Sequence, residues 1–316
     1  MKNDVKQHRS LFENVKLLLK GILMGAADAV PGVSGGTVAF ITGIYEELIH
    51  SIRRCDLNAL KILFTDGPKA VWDYVNGSFL FVLLSGILLS ILTLARVVLY
   101  VLAEHPILLW SFFFGLILAS TWSVARHVTG WTGNRISVFV LGVVVAFMIT
   151  SISPSAIVVT PLTIFISGMI AICAMILPGI SGSFILLLLG MYTAILTAVK
   201  ELDIATIVVF ALGAVVGLLA FSRMLSWAFT HFRSLTLALL GGFLLGSLNK
   251  VWPWKYTVSY TINSKGAEVP LVEQNVMPSA FTDLTGEPSQ ALLAIGLMFV
   301  GCALVVALDR IPARGE

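Results

Sequence analysis

The chain has 316 residues, of which 58% are hydrophobic and only 12% are charged, and its formal net charge is +3. Soluble domains carry about 25% charged residues, so this composition excludes a soluble enzyme and indicates an integral membrane protein. The three cysteines, Cys55, Cys173 and Cys302, are too few and too scattered for a disulfide framework or a zinc site. We therefore expect no cofactor, no metal and no nucleic-acid partner.

The chain begins with a basic segment, 1–20, followed by an apolar stretch, 21–50. That stretch is interrupted in its middle by the sequence Pro31-Gly32-Val33-Ser34-Gly35-Gly36. Proline cannot continue a helix and glycine adopts angles that other residues avoid, so the pattern predicts two half-helices with Pro31 and Gly32 as the hinge. Ser34 is a natural cap for the second half-helix. The N-terminus of a buried helix favours an anion, because its N–H groups are unpaired and partly positive.

Three apolar runs follow a basic polar segment at 51–78, and they cover 79–103, 107–124 and 136–152. Each is long enough to cross a bilayer, since about 20 helical residues are needed. Then a second broken stretch, 168–197, repeats the first at an offset of 147. The coinciding pairs are Pro31/Pro178, Gly32/Gly179, Ser34/Ser181, Gly35/Gly182, Gly43/Gly190 and Tyr45/Tyr192. A cleaved signal peptide would not recur in mid-chain, so we interpret the first stretch as part of the mature protein.

The second half continues with apolar runs at 204–230 and 235–248, a polar segment at 250–289 and a last run at 290–308. At an offset of 127, further pairs coincide: Gly86/Gly213, Arg96/Arg223, Gly115/Gly242 and Ser120/Ser247. Each half is therefore predicted to contain one broken hairpin and three transmembrane helices. We place the first repeat at 1–153 and the second at 154–316, in one integrated membrane domain.

The distribution of basic residues indicates whether each hairpin crosses the membrane. If both hairpins are re-entrant, only Lys200, Lys250, Lys255 and Lys265 face the extracytoplasmic side. The other side then carries Lys2, Lys6, Arg9, Lys16, Lys20, Arg53, Arg54, Lys61, Lys69, Arg126, Arg135, Arg233, Arg310 and Arg314. The positive-inside rule favours this arrangement, with six crossings and both termini in the cytoplasm. Three crossings per half make the repeats inverted, so the predicted fold is an all-α polytopic membrane protein whose hairpin tips meet near the midplane.

Two arginines lie inside predicted transmembrane helices, Arg96 and Arg223. Charges within the bilayer are costly and usually functional, although a side chain near a helix end can instead reach the interface. The arginine fork suits phosphate because it donates two parallel hydrogen bonds. We predict a phosphate or carboxylate site formed by Ser34, Gly35, Gly36, Thr37, Arg96, Ser181, Gly182, Ser183 and Arg223, with Pro178 and Gly179 as the second hinge. Because Ser183 and Phe184 replace Gly36 and Thr37, the two halves of the site are not expected to be equivalent.

A single carboxylate, Asp28, lies three residues before Pro31 in the first half-helix. It is a candidate to carry a coupling ion, either as a proton carrier or as a sodium ligand. The alternative is a static partner of Arg96 or of backbone N–H groups. The sequence leaves both interpretations open.

The paired segments AADAVPGVSGGTVAFITGIYEELI and AMILPGISGSFILLLLGMYTAIL resemble the PopT family of bacterial undecaprenyl-phosphate translocases, formerly described only as a domain of unknown function. The residues that carry the resemblance are Asp28, Pro31, Gly32, Ser34, Gly35, Gly36, Pro178, Gly179, Ser181 and Gly182. The resemblance implies a multi-pass protein of the bacterial cytoplasmic membrane. It also implies the substrate, a polyprenyl monophosphate carrier lipid returned from the outer to the inner leaflet for reuse in cell-wall synthesis.

Two other functions compete with a lipid-phosphate translocase. A secondary transporter of a small soluble anion would use the same site, but it would lack a lateral opening lined by small residues such as Gly86, Gly213, Gly217 and Ala220. An intramembrane lipid-phosphate enzyme would need a base beside Ser34 or Ser181. No histidine lies in an apolar run near either serine, so we do not expect an enzyme.

The predicted topology can be tested by labelling cysteines in intact cells. In the re-entrant arrangement Cys55 is cytoplasmic, and a cysteine introduced by Lys265→Cys is outside. We expect a membrane-impermeant maleimide to label Lys265→Cys and to leave Cys55 unlabelled until the cells are lysed. Rapid labelling of Cys55 in intact cells would contradict the inverted arrangement.

Overall fold

The computed structural model describes residues 9–28, 34–152, 158–262 and 268–310. Within these ranges the model describes the backbone but not the side chains of Ala95, Arg96, Leu99, Lys200, 261–262, 268–271 and 308–310. The predicted hinge residues Pro31 and Gly32 and the predicted repeat boundary at 153/154 therefore lie outside the described residues.

The described chain is mostly helical. Its elements, in order, are α1 Leu11–Asp28, α2 Gly35–Ile41, α3 Tyr45–Arg53, α4 Leu57–Thr65, α5 Pro68–Tyr74, α6 Gly77–Glu104, α7 Pro106–His127, α8 Gly133–Ser151, α9 Pro161–Ile176, α10 Gly182–Leu188, α11 Tyr192–Glu201, α12 Ile204–Ser247, β1 Lys255–Ile262, β2 Glu268–Asn275, α13 Pro278–Thr285 and α14 Ala291–Arg310.

Four of the described helices are long and apolar enough to cross a membrane, namely α6, α7, α8 and α12. Their outer surfaces are unusually apolar for a protein in water: Leu92 of α6 is 74% exposed, and Phe147 of α8 is 52% exposed. Large exposed apolar surfaces of this kind need a lipid or protein environment. The prediction of a helical, multi-pass membrane protein is therefore confirmed, whereas the count of six crossings stays a prediction.

Helix α12 combines two predicted transmembrane segments, 204–230 and 235–248. Its 44 residues would extend about 66 Å if straight, which is twice the thickness of a bilayer core. The backbone leaves helical geometry at Phe232, with φ −137° and ψ 43°. Before this kink Gly213 packs against Phe165 of α9, and after it Gly242 packs against Phe139 of α8. The two parts of α12 thus have separate packing partners, as two transmembrane segments would.

The all-α prediction is wrong for the polar segment 250–289, which contains an antiparallel β-hairpin formed by β1 and β2. The sequence of β1, KYTVSYTI, is rich in β-branched and aromatic residues, which favour strands. Trp252 and Trp254 hold the neighbouring chain: their indole N–H groups donate to the carbonyls of Val276 and Ser289, each at 2.8 Å.

Each predicted hairpin contains three helices rather than two half-helices, because a second turn follows the short central helix. In the first hairpin, Gly43 (φ 73°) donates to the carbonyl of Phe40, and the N–H of Ile44 donates to Ala39. The second hairpin repeats both bonds at Gly190 (φ 66°). The repeated partners are Leu187 for Gly190 and Leu186 for Met191. This pattern is a Schellman motif, which requires a left-handed residue and so favours glycine.

Glycines allow the long helices to approach closely. A Cβ atom at Gly86 of α6 would overlap the carbonyl of Leu18 in α1, and one at Gly213 of α12 would overlap that of Phe165 in α9. Close backbone approach at small residues is a common mode of packing between membrane helices. Gly86 and Gly213, which we considered as the lining of a lateral opening, are instead occupied by helix contacts.

The contact between α7 and α14 provides a test of this packing. A methyl group at Gly115 would overlap the carbonyl of Met298, whereas Gly296 of α14 has open space around it among the described residues. We expect Gly115→Ala to lower the free energy of unfolding by about 1–3 kcal/mol, because overpacking forces the helices apart.

The matched control is Gly296→Ala, which we expect to be neutral or slightly stabilising, since alanine favours a helix. Thermal unfolding of the purified protein in detergent measures both variants. Equal melting temperatures for the two would show that the α7–α14 contact is not tightly packed.

Candidate functional site

The first break connects α1 and α2, and the chain's own side chains satisfy the N-terminus of α2. The N–H of Gly35 donates to Asp28 Oδ1 at 2.6 Å, and the N–H of Gly36 donates to Ser34 Oγ at 3.0 Å. Ser34 is fully buried and has the extended backbone typical of an N-cap. The sequence predicted free N–H groups here. That prediction is wrong for this structure, because Asp28 and Ser34 already accept hydrogen bonds from them.

The second break, between α9 and α10, is built differently. Ser181 precedes α10 but makes no capping hydrogen bond. Its hydroxyl instead lies 2.8 Å from Ser183 Oγ. Gly179 of the predicted hinge has φ 89°, and Pro178 beside it is buried. The two breaks are therefore not equivalent, in agreement with the sequence prediction.

The two hairpins contact each other directly at their breaks through three hydrogen bonds. The hydroxyl of Ser34 donates to the carbonyl of Met175 at 2.8 Å, and Tyr45 Oη donates to the carbonyl of Ile176 at 3.0 Å. In the other direction, the N–H of Gly179 donates to Thr37 Oγ1 at 2.8 Å. Side chains of the first hairpin thus satisfy two carbonyls that the end of α9 leaves unpaired, together with the N–H of Gly179 in the second break.

This contact explains why glycine occupies position 36. A Cβ atom there would lie 2.6 Å from the carbonyl oxygen of Ile176 and 2.8 Å from that of Met175. Real Cβ atoms do not approach oxygens so closely, and both oxygens belong to backbone that cannot easily move. Any larger residue at Gly36 would separate the two breaks.

Tyr45 is a member of this contact that the sequence analysis missed as a site residue. Its side chain is 2% exposed and packs edge-on against Phe40 and Phe229, with ring centroids 5.0 and 6.0 Å away. The pairing of Tyr45 with Tyr192 at the offset of 147 was a signal that could have found it.

The structure describes the side chain of one of the two predicted arginines, Arg223. The side chain of Arg96 lies outside the described residues. Arg223 is exposed, and its positive charge acts on Asp56, which caps α4. Although burial opposes it, hydrogen bonds from Ala59 and Asn58 and the charge of Arg223 lower the pKa of Asp56. Among the described residues, no hydrogen bond or ion pair joins Arg223 to either hairpin, so its position agrees with the alternative that it reaches the interface.

No metal-binding group is found near these residues. Within the described ranges, no three His, Cys, Asp or Glu side chains come close enough to hold a metal ion. The chemistry that the two breaks offer is hydrogen bonding from hydroxyls and backbone N–H groups, together with the carboxylate of Asp28.

Comparison with known proteins identifies relatives over most of the chain. A family model described as VCA0040-like, undecaprenyl phosphate translocase-like, matches residues 24–269. A polyprenyl-phosphate transporter of Vibrio cholerae is 50% identical over 292 residues, covering 92% of this chain and 95% of the relative. A polyprenyl-phosphate transporter of Staphylococcus aureus is 32% identical over 254 residues, covering 75% of this chain and 85% of the relative. No solved structure matches the chain.

The contact between the breaks can be tested at Thr37, which is fully buried. Thr37→Val keeps the shape of the side chain but leaves the N–H of Gly179 without an acceptor. We expect it to lower the free energy of unfolding by about 1–3 kcal/mol, the cost of an unsatisfied buried polar group. Thr37→Ser keeps the acceptor and should lose less. A Thr37→Val variant that melts like wild type would show that this hydrogen bond contributes nothing.

Proposed function

Because the chain belongs to the VCA0040-like, undecaprenyl phosphate translocase-like family, we propose that it transports polyprenyl phosphate across a membrane. The observation that carries this proposal is the 50% identity with a polyprenyl-phosphate transporter over almost the full length of both chains. In more detail, the substrate is undecaprenyl phosphate. The protein returns this carrier lipid from the outer to the inner leaflet of the bacterial cytoplasmic membrane for recycling.

The proposed architecture is two inverted repeats, at 1–153 and 154–316, with both termini in the cytoplasm. The same Schellman turn in both hairpins, at Gly43 and Gly190, supports it. So do matched glycine contacts: Gly86 packs against α1 as Gly213 packs against α9, the corresponding helix of the other half. In such transporters the substrate binds at broken helices where the two repeats meet. The contact between the breaks is therefore the proposed centre of the transport path.

We propose that the phosphate head group binds at the two breaks. Ser181 and Ser183 are suitable donors, because their hydroxyls contact each other rather than capping a helix. Gly182 contributes its backbone beside them. The opposite side of the site is formed by Ser34, Gly35, Gly36 and Thr37. These residues can bind the phosphate once their present hydrogen bonds within the protein are broken. Arg96 contributes a charge-assisted hydrogen bond. Arg223, near Asp56, contacts the head group at the cytoplasmic end of the path.

Asp28 gives this site a mechanism for coupling to an ion. Its carboxylate accepts the N–H of Gly35 at 2.6 Å, so it occupies donors that a phosphate would need. Two anions so close together repel each other strongly where water is scarce. Protonation of Asp28, or its neutralisation by sodium, removes this competition and lets the phosphate bind. Release of the head group restores the contact between Asp28 and Gly35.

The geometry offers little support for an enzyme. The hydroxyl of Ser181 contacts Ser183, and that of Ser34 contacts a carbonyl and an N–H group. None of these partners is a base that would activate a nucleophile. The transport of a small soluble anion is the alternative that the experiment below must exclude.

The proposal is tested by transport in vesicles. The purified protein is reconstituted into liposomes that contain a fluorescent short-chain polyprenyl monophosphate. A soluble phosphatase added outside cleaves only the head groups in the outer leaflet. We expect the protein to accelerate the loss of the inner pool, and excess unlabelled polyprenyl phosphate to compete whereas inorganic phosphate does not. Loss of a charged hydrogen bond in Arg96→Ala should weaken substrate binding by about 10- to 150-fold.

The variants separate the proposed roles. Arg96→Lys should recover part of the activity, since it keeps the charge without the fork. Arg126→Ala, which removes an exposed arginine in the last turn of α7, is the matched control and should transport normally. Asp28→Asn should transport without responding to a pH gradient. If wild-type vesicles lose their inner pool no faster than empty liposomes, or if inorganic phosphate competes fully, lipid transport is excluded.

A further inference from the structure

Two lysines and one glutamate form a charged cluster beside the β-hairpin. The ammonium groups of Lys250 and Lys255 both approach Glu273 Oε2, at 3.7 and 3.5 Å. We call these three residues the lysine cluster. Among the described residues, Glu273 is the one carboxylate within ion-pair distance of either lysine. The lysine cluster therefore contains two positive charges and one negative charge.

The position of Lys255 is unusual for a lysine. Its side chain is only 7% exposed, and its Nζ makes no well-formed hydrogen bond to a described residue, since Glu273 Oε2 approaches it only at 3.5 Å. Nζ lies 4.0 Å from the centre of the Trp110 ring, which is buried in α7. Burial lowers the pKa of Lys255 to about 8, although the charge of Glu273 opposes this. A buried ammonium that lacks hydrogen bonds is costly, so this geometry indicates a missing partner rich in oxygen.

The lysine cluster is adjacent to the second break. The Nζ of Lys250 lies 4.6 Å from the centre of the Phe184 ring, and Phe184 directly follows Ser183 in α10. The preceding residue, Asn249, is held by hydrogen bonds to Thr150 and Ser151 at the end of α8. This anchoring fixes the segment that carries Lys250. An anion bound by the two lysines would thus lie close to α10, the helix that follows the second break.

We propose that Lys250 and Lys255 form a binding site for a phosphate monoester, on the face of the protein that carries the β-hairpin. A phosphate oxygen would supply the hydrogen bonds that Lys255 lacks, and its charge would balance the excess positive charge. In the empty site Glu273 holds the two ammonium groups in place, and it competes with the incoming anion. The role of this site in the path rests on the proposed function: it binds the head group in the outer leaflet before the second break does.

The cluster could instead serve only to hold the β-hairpin against α7, and the two roles predict opposite effects at Glu273. If the lysines bind phosphate, Glu273→Gln removes a competitor and should tighten anion binding. If the cluster is only an ion-pair network, Glu273→Gln breaks it just as a lysine substitution does. Whether Glu273→Gln strengthens or weakens anion binding therefore distinguishes a phosphate-binding site from a purely structural ion-pair network.

The experiment measures binding to the purified full-length protein by titration calorimetry, with farnesyl monophosphate and, separately, inorganic phosphate as probes. We expect Lys255→Met and Lys250→Met each to weaken farnesyl monophosphate binding by about tenfold or more, as loss of a charged hydrogen bond implies. Glu273→Gln should strengthen it. Lys61→Met, at an exposed lysine of α4, is the matched control and should bind like wild type. Binding of inorganic phosphate with the same pattern assigns recognition to the phosphate alone, whereas binding of farnesyl monophosphate only would require the lipid tail.

Transport kinetics in vesicles then separate this site from the proposed function. The lysine variants should raise the substrate concentration needed for half-maximal transport and leave the maximal rate nearly unchanged. Wild-type affinity in both lysine variants, or weaker binding in Glu273→Gln, would overturn the site. If Lys255→Met does not fold, Lys250→Met and Glu273→Gln still give the opposite changes required. If binding follows the expected pattern but neither the wild-type protein nor any variant transports lipid, the binding site is supported and the proposed function is contradicted.

Discussion

The structure depends on how backbone hydrogen bonds are completed where its helices break. Within a bilayer no water is available to unpaired N–H and carbonyl groups, so a broken helix is tolerated only where protein or a water-filled cavity satisfies them. Here the first hairpin supplies what the second lacks: Ser34 and Tyr45 donate to the end of α9, and Thr37 accepts from Gly179. The second break therefore depends on side chains of the first hairpin for hydrogen bonds that lipid could not provide. The same requirement places polar groups from both halves side by side.

A site of this kind must have a defined state when no substrate is bound. At the first break the carboxylate of Asp28 takes the place of an anion at Gly35, and Ser34 accepts from Gly36. Internal partners of this type prevent buried donors from remaining unsatisfied, at the cost of a competitor that substrate must displace. In the same way, Glu273 pairs with Lys250 and Lys255 and would have to be displaced by an anion that binds these lysines. Both proposed anion sites are thus occupied by a carboxylate of the protein itself.

The glycines bring helices into close contact, whereas their small size first indicated a lateral opening. Gly86 and Gly213 are filled by neighbouring backbones, so the helices that follow each hairpin pack tightly against its first helix. Gly36 lets the two breaks meet. A lateral route for a lipid tail must therefore lie elsewhere or open when these contacts separate. Equally close contacts join the two proposed halves, since Gly242 packs against Phe139 of α8 and Gly115 packs against Met298 of α14.

The helical membrane character, the two broken stretches and the approximate positions of the long helices could be predicted from the sequence, because hydropathy and proline–glycine breaks are local signals. The inequivalence of the two breaks also followed from the residues at Ser183 and Phe184. The partners at the breaks could not be predicted. These partners depend on tertiary packing. Ser34 and Met175, and likewise Arg223 and Asp56, are more than a hundred residues apart in the sequence, and the contact between Asp28 and Gly35 joins two separate helices. The lysine cluster was missed for the same reason. In the sequence, Lys250, Lys255 and Glu273 are ordinary residues of a polar segment, and only the β-hairpin brings them together and buries Lys255 against Trp110.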